Sequence, residues 1–305
     1  MAEKDMMEKT LESYNDVFSD IVNVLLFSGR NKVKEDELEQ ALPRSIYKAD
    51  QKLREQERDT AKYWKKHNIR ISYFGIENET DSEEDMPFRI IGYDGATYRD
   101  QISYETDANG KRKLNDNPRY PVVTLVLYFG LKRWDKPRTV HEVLGNNLDD
   151  DMRPFVHDYP INLFEIAFLS DEQVEMFQSD FKIVADYFVQ MRKNKEYKPS
   201  ETQIRHVREV LQLMSVLTND RRFEEAVNDV ENLGKGAEPR NMCDVLDKVE
   251  NRGIEIGKER LAKESALRMK KDGLSIEKIS IYVNIDEETV KKWISENEKS
   301  ENEES

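Results

Sequence analysis

Apolar residues at Leu11, Tyr14, Val17, Phe18, Ile21, Val22, Leu25 and Leu26 recur at the i, i+3, i+4, i+7 spacing of an amphipathic helix and predict one over residues 9–27. A charged, mixed segment follows, with a short strand expected near residues 45–48. Residues 58–80, RDTAKYWKKHNIRISYFGIENET, then read as two strands joined by a polar turn at 65–68. Met86-Pro87 opens a second helix through about residue 103, since proline is favourable in a first helical turn. A polar insertion at 105–118 leads into PVVTLVLYFG at 121–130. That continuous β-branched and aromatic run has the composition of a strand buried on both faces. INLFEIAF at 161–168 predicts another strand, and Val174, Phe177, Phe181, Val184, Ala185, Phe188 and Val189 predict a single helix packed on the sheet. The expected order is helix, strands, helix, strand, strand, helix, an α/β domain.

Beyond a linker, KNKEYKP at 193–199, every periodic segment is helical: 204–217, 223–230 and 242–271. GLSIEKISIYVNIDEETVKKWISE then predicts two short helices across a tight turn, with Ser275 as an N-cap. Its second helix mixes Lys291 and Lys292 with Glu287 and Glu288, which favours a structural hairpin over DNA contact. The expected division is 1–192, an α/β domain; 193–260, a helical linker or oligomerisation region; 261–297, a helix-turn-helix-like segment; and 298–305, a disordered acidic tail.

The chemistry concentrates in the two-strand stretch. Side chains alternate faces along a strand, so Ile69, Ile71 and Tyr73 share a face with Gly75, Glu77 and Glu79. Asp59 opens the first strand, while Glu77 and Glu79 close the second. Carboxylates gathered at strand ends suggest a divalent metal held by oxygen ligands. Asp59 joins the face of Glu77 only if it stands opposite an odd-numbered residue, which requires an odd-length turn or a bulge. On the second predicted helix Arg89, Tyr93, Thr97 and Asp100 or Gln101 line one face, and Arg89 is the best cation available to a substrate phosphate. An ion pair between Arg89 and the acidic DSEED loop at 81–85 accounts for it equally well. On the first helix Asp16 and Asp20 share a polar face, and for Asp20 a solvated position is the favoured account.

Composition narrows the partners. A charged fraction of 36% implies long solvated helices, and a formal net charge of −14 excludes a globally basic nucleic-acid surface. An acidic enzyme can still act on phosphodiesters where metal ions and a local cation offset the charge. Cys243, the only cysteine, excludes an internal disulfide framework and fits a reducing cytoplasm. No signal-peptide-like segment and no run near the ~18 apolar residues of a membrane span is present, so no membrane is expected. The four histidines, His67, His141, His157 and His206, show no ligand or triad spacing.

The blocks NDVFSDIVNVLLF, LREQERDTAKYW, GIENET, MPFRIIGYDGATYRDQ, RYPVVTLVLYFG and SDFKIVADYF resemble the recombination-promoting nuclease and transposase-like family, a branch of the PD-(D/E)XK nuclease superfamily. GLSIEKISIYVNI resembles the short helical repeat that often closes its members. The resemblance implies a restriction-endonuclease-like α/β core with an all-helical C-terminal region. It implies Asp59 as the first metal-binding acid, Glu77 as the second, and Asp16 as the additional acid of the first helix. Glu79 departs from the pattern, because the family carries Lys or Gln at that position. A glutamate there must recruit a second cation, act as a base, or weaken the enzyme. The implied function is Mg²⁺-dependent or Mn²⁺-dependent DNA endonuclease activity linked to recombination, mobile elements or defence. The chain is expected to self-associate. Two rivals stand beside it: an inactive nuclease-fold protein that binds through its helical end, and a nuclease of RNA.

Overall fold

In the computed structural model, residues 11–41, 44–49, 52–67, 69–106, 110–114, 117–218, 221–232 and 241–303 are described. The chain divides into two compact units, residues 1–242 and 243–305. The first contains helix α1 (Asn15–Phe27), strands β1 (Leu38–Gln40), β2 (Arg44–Ala49), β3 (Lys52–Glu57), β4 (Thr60–Lys66) and β5 (Ile69–Glu79), and helix α2 (Met86–Asp100). There follow β6 (Tyr104–Thr106), β7 (Arg112–Leu114), β8 (Val122–Tyr128), α3 (Val140–Leu144), β9 (Asn162–Glu165), α4 (Asp171–Met176), α5 (Phe181–Asn194), α6 (Val207–Thr218) and α7 (Arg221–Asn232).

The principal sheet has five strands in the order β1-β4-β5-β8-β9. β1, β4 and β5 run antiparallel, whereas β5, β8 and β9 run parallel. A parallel pair needs a crossover, and α2 lies in the one between β5 and β8. β5 is therefore the central strand, at the point where the sheet changes from antiparallel to parallel. The smaller pairs β2-β3 and β6-β7 stand apart from this sheet. The β6-β7 pair lies within the expected polar insertion, parts of which are outside the described residues, as are the start of the predicted first helix and Asn68 of the predicted turn.

One face of the sheet carries α2. Met86, Ile90 and Tyr93 of this helix pack with Val126 and Tyr128 of β8 and with Trp134 and Ile161. Full burial of an aliphatic or aromatic side chain contributes about 1.5–3 kcal/mol. Phe88, Ile91 and Tyr98 of the same helix are exposed instead. The other face carries α1, whose Val17, Phe18, Ile21 and Val22 are wholly buried. Lys62 of β4 fixes the start of α1, because its buried ammonium donates to Ser13 O and Asn15 Oδ1, both at 2.7 Å, and to Gln40 Oε1 of β1 at 3.1 Å.

The single helix expected after residue 170 is two helices, α4 and α5. Asp20 is the cause: its carboxylate accepts the backbone N–H groups of Gln178 and Ser179 at 2.8 and 2.7 Å, in the break between them. Asp20 therefore supports a chain corner rather than a solvated face, and burial raises its pKa. The expected boundary at 192/193 does not coincide with the division of the chain. Val207, Val210, Leu211, Leu213 and Met214 of α6 and Phe223 of α7 are buried, and Asp180 accepts the N–H groups of Arg205 and His206. Tyr187 of α5 meets Phe223 edge-on with ring centroids 5.7 Å apart.

In the second unit, α8 (Met242–Lys271) ends at Gly273, where φ is +87°. Ser275 caps α9 (Ile276–Val283) by accepting from Lys278 N–H. Asn284, at φ 54°, then turns the chain toward α10 (Glu287–Glu303). Ile279, Val290, Trp293 and Ile294 bury one another with Ala266. α10 continues through Glu303, so residues 298–303 of the expected disordered tail are helical. Among the described residues no helix is long and apolar enough to cross a membrane.

Under the central strand lies a buried ion pair. Arg58 is 1% exposed, and its guanidinium donates to Asp94 Oδ1 of α2 at 2.8 Å, to Thr97 Oγ1 at 3.0 Å, and to Thr124 Oγ1 and the Tyr73 hydroxyl at 3.2 Å. Asp94 also accepts from the hydroxyls of Thr124 at 2.5 Å and Tyr159 at 2.6 Å. Room for this arginine comes from Gly75, since a Cβ there would stand 2.5 Å from Arg58 Cδ. Gly75→Ala is expected to destabilise the fold by about 1–3 kcal/mol through overpacking. Asp94→Ala, which leaves the guanidinium buried and unpaired, is expected to cost about 3–5 kcal/mol. Urea denaturation of the two variants measures both.

Candidate metal and phosphate site

The β4-β5 register determines which residues meet. At the hairpin end Lys66 faces Ile69 and Lys65 faces Arg70, but beyond them Trp64 faces Ser72, so a bulge leaves Ile71 unpaired. The shift carries Ala61 opposite Gly75 and Thr60 opposite Ile76. One residue further on, Asp59 is in line with Glu77. The odd-numbered alignment that a shared site requires is thus produced by the bulge. Ile69 and Ile71 are exposed, so the continuous face from core to site begins at Tyr73 rather than at Ile69.

Asp59 Oδ2 accepts the backbone N–H of Asn78 at 2.6 Å, which holds the carboxylate against the end of β5. Glu77 is 2% exposed. Its Oε2 accepts from Arg89 Nη2 at 2.8 Å, while its Oε1 is buried with no hydrogen-bond partner. The same Nη2 lies 2.5 Å from Glu79 Oε1, and Nη1 lies 2.5 Å from Glu83 Oε2. Arg89 therefore pairs with the acidic loop and with the strand-end acids at once. Among the described residues no three His, Cys, Asp or Glu side chains stand together as a preformed metal cage; the space between Glu77 and Glu79 holds a guanidinium nitrogen.

Burial and the neighbouring Asp59 push the Glu77 pKa up from 4.5 to about 8, against the lowering effect of Arg89. Burial pushes Glu79 up to about 7, again opposed by Arg89, with Glu83 adding to the rise. The two acids share one cation in a desolvated setting, which offsets only part of their combined charge.

Asp16 is not part of this cluster. Its carboxylate lies 3.6 Å from both Arg205 Nη1 and His206 Nε2, near the start of α6. The acid that the start of the chain brings to β5 is Glu12, which lies before α1, across a turn at 13–14 that interrupts the single helix predicted over 9–27. Glu12 is 2% exposed and its Oε2 accepts from Asn78 Nδ2 at 3.0 Å. Asn78 thus touches Asp59 through its backbone and Glu12 through its side chain. In the sequence Glu12 was distinguishable from Asp16 only by its place beside Leu11 on the buried stripe. His206, given no role from spacing, sits between Asp16 and Asp180 and meets the Tyr14 ring edge-on at 3.8 Å. Arg58 and Asp94 were also missed; the available signal was Gly75, a glycine within an otherwise bulky strand, which reports a close neighbour.

In comparisons with known proteins, the chain matches no family model, no curated protein and no solved structure.

Without added metal, the two raised carboxylates make stability depend on pH. Between about pH 4.5 and 8 the folded protein binds more protons at Glu77 and Glu79 than the unfolded chain does, so stability falls as pH rises through that range. The expected loss amounts to several kcal/mol, at about 1.4 kcal/mol for each unit of raised pKa. Denaturation with chelator present across this interval checks it, and a Glu77→Gln, Glu79→Gln double variant is expected to flatten the profile.

Proposed function

We propose that the first unit is a metal-dependent DNA phosphodiesterase of the PD-(D/E)XK type. The observation that carries this reading is the Glu77 carboxylate, close enough to Asp59, one residue before the Thr60–Ile76 pair, to feel its charge, with Glu77 Oε1 buried and lacking a hydrogen-bond partner. A buried carboxylate oxygen left without a donor is costly, and a hard cation with oxygen ligands relieves that cost. The position agrees with a general property of open α/β sheets, whose ligands bind outside the carboxyl ends of parallel strands. Glu77 and Glu79 occupy that end of β5.

Asp59 and Glu77 would hold the metal, and Mg²⁺ or Mn²⁺ suits this all-oxygen donor set. A bound divalent ion supplies Lewis-acid polarisation of phosphate and a lowered pKa for water. Glu79, two residues beyond Glu77 on the same strand face, would accept the proton of the attacking water. That role answers the departure from Lys or Gln at its position. Arg89 supplies the positive charge that a lysine would bring, but from the first turn of α2. Its side chain is 32% exposed, so it reaches both the buried acids and the mouth of the site, where a phosphate enters.

A second reading, a nuclease-like fold that only binds, is favoured by the Arg89 ion pairs, which supply Glu77 and Glu79 with an internal counter-charge. Plasmid DNA and RNA of matched length, incubated with Mg²⁺ or Mn²⁺, separate the possibilities. DNA cleavage is expected, falling to background in an Asp59→Ala, Glu77→Ala variant that keeps its thermal midpoint. Asp16→Ala is expected to cut at the parent rate, whereas Glu12→Ala lowers it. Cleavage unchanged in the double variant rejects the assignment; RNA as the only polymer cut reassigns the substrate; and no cleavage of either polymer favours the binding reading.

A further inference from the structure

Arg89 stands where a cation ligated by Glu77 and Glu79 would stand. A single nitrogen, Nη2, contacts Glu77 Oε2 and Glu79 Oε1 together, and the other terminal nitrogen reaches outward to Glu83. A divalent ion beside Glu77 and a guanidinium in the same few ångströms repel strongly in a desolvated site. An ion held by Asp59 and Glu77 would draw on the same Glu77 carboxylate that Arg89 Nη2 contacts, so the two cations compete for it. The two contacting carboxylates differ in burial, with Glu77 2% and Glu79 17% exposed, while Glu83 at the rim is 38% exposed. An outward rotation of Arg89 therefore leaves it a carboxylate partner at the surface.

We propose that Arg89 is a resident counter-cation that holds the acids of β5 in the metal-free protein and is exchanged for the divalent ion on loading, moving toward Glu83 and the incoming phosphate. This rests on the metal-site reading above. It assigns Arg89 two successive partners. In the metal-free state it keeps neighbouring acids from splaying apart, and in the loaded state it faces the substrate. The exchange also gives the Glu79 position a physical sense. A lysine there would add a second fixed cation beside the metal, whereas a glutamate gives Arg89 a second anchor while the metal is away.

The experiment measures Mn²⁺ binding by titration calorimetry and by the metal-induced rise in thermal midpoint, on the full chain without DNA. Arg89→Met keeps an unbranched stem, shorter than that of arginine, and removes the charge. Its metal-free midpoint is expected below that of the parent, and its Mn²⁺ affinity about tenfold tighter, a typical coupling between two competing ligands. Its metal-induced rise in midpoint is correspondingly larger. Arg89→Lys, which cannot reach all three carboxylates as the fork does, is expected to fall between the two and decides the matter if Arg89→Met does not fold. Affinity equal to or weaker than the parent's, or no Mn²⁺ binding in either protein, overturns the exchange. Cleavage assays fail independently: a protein that cuts DNA but shows no affinity change loses the exchange alone. One that binds Mn²⁺ more tightly as Arg89→Met yet cuts nothing loses the nuclease reading alone.

Discussion

The structure of the first unit depends on one buried ion pair. Arg58 and Asp94 place a full positive and a full negative charge where water does not reach, and such a pair holds only when its remaining hydrogen-bonding capacity is used. Here Thr97, Thr124, Tyr73 and Tyr159 use it. The network spans four pieces of the domain: the chain entering β4, the central strands β5 and β8, helix α2, and the loop before β9. Because Arg58 immediately precedes Asp59, the network also fixes where the first site carboxylate leaves the core. Because Asp94 lies five residues beyond Arg89 on α2, it sets the depth at which that helix presents its cation. One buried ion pair thus gives the Arg89 ion pairs their geometry.

The strand-end acids pose the opposite problem. Glu77 is as buried as Asp94, but its surroundings supply one guanidinium to be shared with Glu79 and Glu83. Asp94 is satisfied by donors from several elements, whereas one oxygen of Glu77 is left without any. Proteins retain such incompletely compensated groups where a ligand completes them, which gives the contrast between the two acids its meaning. It separates a carboxylate that holds the fold together from one held ready for something else.

Much of this architecture was legible in the chain. The β-branched run at 121–130 and the period of residues 9–27 and 242–271 predict elements that the structure contains within a few residues, because hydrophobic periodicity is local. The alternation in GIENET correctly groups Gly75, Glu77 and Glu79 on one face. The choice between Asp16 and Glu12 depended on how a helix end meets a strand end, which no local pattern encodes. The break between α4 and α5 depended on Asp20, more than 150 residues away. Gly75 reads in the sequence only as a member of the acidic face, whereas in the fold it makes room for an arginine in the core. The acidic end of the second unit reads as a tail because charge content alone does not distinguish a solvated helix from a coil.

The bulge at Trp64 and Lys65 makes the hairpin a parity device. Asp59 falls in line with Glu77 because one residue of β5, Ile71, is left out of the ladder; with the same turn pairs and the same chain but no bulge, Asp59 would stand opposite Ile76 instead. The alignment of the site is therefore decided at the far end of the hairpin, in a stretch that never touches it.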